Sequence, residues 1–274
     1  MSDPPAITAL VPVRHFVPRF LRDALESMIG QSSPRWRMIV IQDPALADGL
    51  RRLLGEYLDD PRVSAVGNRG LGLGGAINTG MAEATTDYCT VLLGDDLLTP
   101  NAVEVLERNI EAHPETDFFH SGKRPIDPEG RPTGGPVFGM ETVRAREFLR
   151  AAPVKHLLCW RRRFALEIGG LDESFQLVGP DDYDFPWSMA ERGASFTLIR
   201  EVLYLQREHD SYRLTTHPPL RARAAEVMRM WGKHGATGPL GRARALWSAQ
   251  IYLSRSQGDA DRWLRRFVAL TRRR

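Results

Sequence analysis

Asn68-Arg69-Gly70-Leu71-Gly72-Leu73-Gly74-Gly75-Ala76 is the stretch on which the reading of this chain turns. Gly70, Gly72 and Gly75 follow the G-x-G-x-x-G spacing that, between a strand and a helix, brings backbone close to a dinucleotide pyrophosphate. A short apolar run, Val63 to Val66, precedes it as a strand, and Ala76 to Ala84 follows as a helix. Spacing alone leaves two readings open: a dinucleotide fingerprint, or a glycine-rich loop beside some other nucleotide.

The neighbours discriminate. Upstream, Ile7 to Val13 reads as a buried strand, and Phe16, Phe20, Leu21, Leu25 and Met28 then recur at helical spacing until Gly30 and Pro34. Trp36 to Ile41 is a second strand, stopping at Gln42-Asp43-Pro44. Leu50, Leu53, Leu54, Tyr57 and Leu58 mark a second helix, closed by Asp60-Pro61. Downstream, the strand Tyr88 to Leu93 ends in Gly94-Asp95-Asp96, and Thr99-Pro100 opens another helix with Thr99 as N-cap and Pro100 at N1. Strand and helix thus alternate about four times by residue 115, the pattern of a layered α/β fold with a mainly parallel sheet. Such sheets bind ligands outside the carboxyl ends of their strands, where Asp43, the glycine loop and Asp95-Asp96 all fall. Two complete β-α units already precede the loop, which counts against a dinucleotide fold. Asp95 nonetheless stands about where that fold's ribose-binding acid would, roughly 20 residues on.

Beyond Pro114 the pattern changes. Strands are expected at Asp117 to His120 and Val154 to Trp160, strong turn chemistry at Ile126 to Pro132, and a helix around Thr142 to Leu149. Gly169 to Glu173 is a turn, and Gly179-Pro180-Asp181-Asp182-Tyr183-Asp184 introduces a helix running to about Glu191. Two strands, Ser195 to Ile199 and Val202 to Arg207, lead to His209. Everything past Pro218 reads as helix, broken near Gly232 to Gly241 and at Gly258.

The 274 residues carry a formal net charge of +3, concentrated in an arginine-rich segment from Leu220 onward. No apolar run approaches the ~18 residues of a transmembrane helix, and the acidic, Pro-rich start has no secretory pattern, so the expected location is the cytoplasm. Cys89 and Cys159 lie in apolar segments and read as buried, reduced thiols. There is no zinc spacing, no G-x-S-x-G elbow and no P-loop. Aromatics are not interleaved with the arginines, so nucleic acid is not an expected partner.

Two acidic clusters carry the chemistry. Adjacent carboxylates such as Asp95-Asp96 repel one another and are stabilised by a divalent cation, Mg2+ or Mn2+, which takes its remaining ligands from water or a diphosphate. The alternative is a pair of acids favoured by the following helix dipole. Asp181-Asp182-x-Asp184 admits the same two readings. A metal site together with a separate general base is what group transfer from a nucleotide diphosphate requires. His209 is either a neutral imidazole ligand or an ordinary loop residue. Trp160 and Trp187 are candidates to border a sugar, or core aromatics.

With these residues in place the chain resembles family 2 glycosyltransferases of the GT-A fold. Leu10-Val11-Pro12-Val13-Arg14, and then Phe20-Leu21 through Gln31-Ser32, is similar to the family's opening strand and helix, with Arg14-His15 replacing a polar, Asn-containing pair. Ile39 to Asp43 is similar to its V-D-D-G-S strand end, with one acid left. Asn68-x-Gly70 and Asn78-x-Gly80-x-x-x-Ala84 match N-x-G…N-x-G-x-x-x-A. Leu93-Gly94-Asp95-Asp96 resembles the D-x-D signature without its first acid. Gly169-Gly170-Leu171-Asp172-Glu173 and Asp181-Asp182-x-Asp184-Phe185 resemble G-G-L-D-E and E-D-x-D-L.

The resemblance implies a Rossmann-like α/β/α sandwich with a mixed, mainly parallel sheet. Residues 1–217 would be the catalytic domain, with a nucleotide-binding half of about 1–115 and an acceptor half of about 116–217, and 218–274 a basic helical extension. It implies inverting transfer from a nucleotide diphosphate sugar, a UDP-sugar favoured over GDP- or dTDP-sugars, to a saccharide, lipid-linked or small-molecule acceptor. Asp182, beside Asp181, would be the base. Pro12, Val13, Asp43, Asn68, Gly70, Asn78 and Asp95 would contact the donor, and Asp95, Asp96 and His209 the metal. The C-terminal helices would serve a homodimer or an anionic membrane surface. Competing readings are an NAD(P)-dependent oxidoreductase using Gly70 to Gly75, which lacks an evident Tyr-Lys pair, and a degenerate, non-catalytic nucleotide-sugar-binding module. A sugar-nucleotide pyrophosphorylase would need a Gly-rich basic loop after the first strand, which Val13 to Val17 does not supply.

Overall fold

The structure is a computed structural model that describes residues 6–44, 47–149, 151–177, 179–209 and 220–235. Strands β1 (Ile7–Val13), β2 (Trp36–Gln42), β3 (Val63–Gly67) and β4 (Tyr88–Val91) pair in parallel in the order β3-β2-β1-β4. Parallel neighbours require crossovers, and α1 (Pro18–Ile29), α2 (Ala47–Leu54) and α3 (Gly72–Glu83) supply them. On one face Ile7, Ala9, Val11 and Val13 pack with Leu21, Ala24, Leu25 and Met28 of α1, with Leu50 and Leu53 of α2, and with Val103 and Leu106 of α4 (Ala102–Ala112). Leu10 faces the other way. There Gly80 of α3 comes so close that a Cβ would stand 2.8 Å from Ile41 Cδ1 and 2.9 Å from Leu10 Cδ2.

The remaining strands extend the sheet past β4. Strand β7 (Leu158–Arg161) runs antiparallel to β4 and to β6 (Phe118–Ile126), β8 (Phe196–Arg207) is parallel to β6, and β5 (Leu97–Leu98) closes the edge antiparallel to β8. The result is an eight-stranded mixed, mainly parallel sheet, β3-β2-β1-β4-β7-β6-β8-β5, as the resemblance implied. Short helices α5 (Ala145–Phe148) and α6 (Arg162–Glu167) flank β7, and a π-helical turn, Pro180–Asp184, runs into α7 (Phe185–Glu191).

Several local expectations shift. Ser195–Ile199 and Val202–Arg207 belong to one strand, β8, because the exposed Arg200-Glu201 sits in an irregularity where the register with β6 jumps from His120↔Leu198 to Gly122↔Val202 and pairing then resumes. Thr99 is not a side-chain cap: α4 begins at Ala102, and Leu97–Leu98 pairs with β8 instead. Cys89 and Cys159 are buried and free, and burial pushes the Cys89 thiol up to about 12.

The chain divides into two compact units, Met1–Ser174 with Pro180–Ser211, and Phe175–Gly179 with Tyr212–Arg274. In the second, α8 (Leu220–Lys233) presents Glu226, which accepts the backbone N–H groups of Gln176 (2.7 Å) and Leu177 (2.6 Å). Residues 236–274, which carry most of the expected basic extension, lie outside the described residues.

Candidate active site

The glycine stretch is helical sooner than its composition suggests. Gly72, at φ 60° and therefore in the left-handed region, opens α3, and Gly74 and Gly75 form its buried first turn. What approaches these glycines is the chain itself. A Cβ on Gly70 would lie 2.6 Å from Glu173 Oε2 and 2.7 Å from Gly75 Cα. Glu173 Oε2 accepts the Leu71 N–H (2.8 Å) and Oε1 accepts Asn78 Nδ2 (3.0 Å). The start of α3, where a dinucleotide pyrophosphate would sit, therefore already holds an internal carboxylate that the helix dipole favours. A pyrophosphate there would meet like charge, and the oxidoreductase reading loses its site.

Two residues expected at the donor are part of the same latch. Asn78 Oδ1 accepts the Leu171 N–H (2.8 Å), and its Nδ2 also donates to Leu171 O (2.9 Å). Asn68 Oδ1 accepts the Gly70 N–H (2.9 Å) and Nδ2 donates to Gly72 O (3.2 Å), so its side chain shapes the turn. Pro12 and Val13 lie at the carboxyl end of β1. Val13 O accepts the Asp43 N–H (3.0 Å), and the Asp43 carboxylate stands 3.8 Å from Arg14 Nε.

At the carboxyl end of β4 the two adjacent acids diverge. Asp96 is buried, with Oδ2 accepting the Tyr204 hydroxyl (2.8 Å) and Oδ1 the Arg207 N–H (2.7 Å). Its oxygens serve the fold, so the pair expected to share a cation is split. Asp95 is the more open of the two, and its Oδ2 lies 3.1 Å from His209 Nε2. Cis ligands of a cation held at about 2.1 Å stand ~3.0 Å apart, so this carboxylate and imidazole fit a Mn2+ or Mg2+ site as a pair. Among the described residues no cluster of three or more His, Cys, Asp or Glu meets metal-site geometry.

The second acidic cluster lies in the π-helical turn, a form often found at functional sites. Asp181 is buried, and desolvation together with the neighbouring Asp182 pushes its carboxyl up to about 7. Its Oδ2 is 3.5 Å from Nε2 of His156, an equally buried ring 4.9 Å from that of Tyr204. Burial pushes His156 down to about 4, while Asp182 and Asp95 both pull it upward. One buried imidazole thus senses the acids of both clusters. Asp182 itself is half-buried.

The geometry, an α/β sheet with one acidic cluster beyond β4 and another in the turn before α7, meets its sequence counterpart here: residues 8–164 match the pattern of Glycosyl transferase family 2. The chain belongs to that family. As a family 2 glycosyltransferase it is 28% identical over 214 residues to the O-antigen biosynthesis protein RfbC of Myxococcus xanthus, covering 76% of this chain and 16% of that protein. It is 26% identical over 192 residues to the chondroitin synthase of Escherichia coli, covering 68% and 26%. The chain therefore spans only a fraction of the length of these relatives. Among solved structures, S. aureus TarS 1-349 in complex with UDP-GlcNAc superposes with a TM-score of 0.66 at 11% identity, over 91% of this chain and 72% of that one. The mannosyltransferase PcManGT from Pyrobaculum calidifontis, in complex with GDP-Man and Mn2+, gives 0.61 at 17%, over 98% and 81%. These likenesses establish a GT-A fold.

Within this glycosyltransferase, sequence reasoning missed His156, Glu173, Arg14 and Arg207. Glu173 and Arg14 stood inside recognised motifs, Arg14 as a departure from the usual pattern, whereas nothing local marks His156 or Arg207. Trp160 and Trp187 are core aromatics, stacked among Phe118, Phe148 and Phe185. Among the described residues no helix is long and apolar enough to cross a membrane.

Proposed function

We propose that this glycosyltransferase moves a sugar from a nucleoside diphosphate sugar to an acceptor hydroxyl with inversion at the anomeric carbon, assisted by a divalent cation. The observation that carries the reading is the family match over residues 8–164 together with Asp95 set against His209 at 3.1 Å and a second acidic cluster in the Pro180–Asp184 turn: one acid serves the departing diphosphate, the other the incoming hydroxyl. Relatives with nucleotide sugars bound in the same fold support the donor class, a UDP-sugar first and GDP- or dTDP-sugars next. Asp43, at the end of β2, is placed for the nucleoside, with Pro12 and Val13 offering backbone contacts.

Asp95 and His209 would hold Mn2+ or Mg2+, which when bound offsets the negative charge developing on the diphosphate. Asp182 accepts the proton of the acceptor hydroxyl. The acceptor oxygen forms its bond to the anomeric carbon as the bond from that carbon to the diphosphate oxygen breaks, the electron pair leaving with the nucleoside diphosphate. Asp182 suits this role better than Asp181 because a base must start charged. Burial pushes the Asp181 carboxyl up to about 7, toward its protonated form, whereas Asp182 is half-buried in the same turn.

Asp182→Asn keeps shape and removes the base. Turnover should fall about 10²- to 10⁴-fold, with affinity for UDP and Mn2+ unchanged by calorimetry. A variant that retains more than a tenth of wild-type turnover sinks the assignment.

A further inference from the structure

We propose that Arg207 is the positioning residue of the donor site, a buried fork that holds Asp95 and His209 side by side. The proposal rests on the donor-site reading above. Arg207 is 1% exposed, and each of its guanidinium nitrogens donates to a different segment: Nε to the Asp95 carbonyl (2.9 Å), Nη1 to the Pro128 carbonyl (2.6 Å), and Nη2 to Asp23 Oδ2 of α1 (2.9 Å). Its backbone N–H donates to Asp96 Oδ1 (2.7 Å). Its Cζ lies 4.6 Å from the centre of the Phe20 ring, whose other neighbour, at 4.9 Å, is the His209 imidazole.

Each contact constrains a donor. The Nε bond fixes the backbone from which the Asp95 carboxylate springs. The N–H bond turns Asp96 into the sheet, leaving Asp95 as the acid that meets His209. Phe20, in contact with both guanidinium and imidazole, limits how far the His209 ring can swing from Asp95. A buried guanidinium is costly unless paired, and simple stability would be served as well by an apolar side chain of similar volume. What an apolar residue cannot do is tie α1, the turn after β6 and the end of β4 to the strand that carries His209. Lysine cannot do it either, since a single ammonium does not span three diverging acceptors.

The test is Mn2+ uptake by the full chain in the presence of UDP, followed by the loss of the free Mn2+ electron paramagnetic resonance signal, with UDP affinity measured in parallel without metal. Wild type, Arg207→Lys and Asp23→Asn are compared, the last neutralising the acceptor of one prong on the far side of the fork. Loss of an outer partner of a metal ligand typically weakens metal affinity about 10- to 100-fold. Arg207→Lys should fall in that range and Asp23→Asn near its lower end, both keeping metal-free UDP affinity within about twofold. If Arg207→Lys fails to fold, the same shift in Asp23→Asn carries the proposal. Wild-type uptake that the folded variants retain within twofold overturns the positioning role alone. No uptake by the wild type overturns the donor-site reading and this proposal with it.

Discussion

Asp181 shows how burial assigns different work to neighbouring acids. Its carboxyl, pushed up to about 7 by desolvation and by Asp182, binds a proton in the folded state that the unfolded chain, with an ordinary value near 4, has released. Folding therefore favours the protonated form, and this group's contribution to stability is fully present below about pH 4 and lost as pH rises through about 7. Asp181→Asn replaces the acid with a neutral isostere. Its melting temperature should exceed that of the wild type at pH 8, and the gap should narrow toward pH 5. Thermal unfolding at the two pH values checks it, and a gap independent of pH would remove Asp181 as the titrating group. His156, held neutral by burial at about 4, adds the opposite slope as pH falls from about 6.5, so the comparison must be made against wild type at each pH. None of this is legible from Asp181-Asp182 as a dipeptide, because burial sets the difference.

At the scale of elements, the start of α3 was open to two readings because a spacing of glycines records that something comes close without saying what. Here it is Glu173, Gly75 and the backbone of Gly70. The clearest check pairs a crowded glycine with an open one. A Cβ on Gly75 would overlap the Gly70 backbone and stand 3.0 Å from Glu173 Oε2, while nothing lies within 4 Å of one on Gly67, at the end of β3. Gly75→Ala should cost about 1–3 kcal/mol and Gly67→Ala less than about 0.5 kcal/mol, both read by urea unfolding. Equal effects would mean that the latch relaxes around a methyl group. By contrast, β1 to β4 with α1 were legible to within a few residues, since a strand buried on both faces is written as a continuous apolar run and Gly30 ends α1 without help from distant residues, whereas α2 stops at Leu54, ahead of the Asp60-Pro61 stop expected for it. Strand β8 was read as two because Arg200 and Glu201 look like a break. Only the pairing with β6, far away in sequence, shows that the strand continues past them through an irregularity in register.

For the whole molecule, the parts proposed to meet the donor, Val13, Asp43, Asp95 and His209, come from the ends of three strands and the loop after a fourth, all in one compact unit. A ligand touching all of them binds only the folded chain, and so raises its stability by about 2.7 kcal/mol at a hundred times the dissociation constant. At roughly 2–4 °C per kcal/mol for a domain of this size, UDP with Mn2+ should raise the melting temperature by about 5–10 °C. NADH and NADPH should leave it unchanged, because Glu173 already occupies the start of α3. Asp95→Asn should abolish the part of the shift that depends on Mn2+ and keep the smaller part that UDP produces alone, since Asp43 and the end of β1 are untouched. A shift with NADH equal to that with UDP and Mn2+ would return the glycine stretch to the dinucleotide reading. An Asp95→Asn variant with the full Mn2+-dependent shift would move the cation to other ligands.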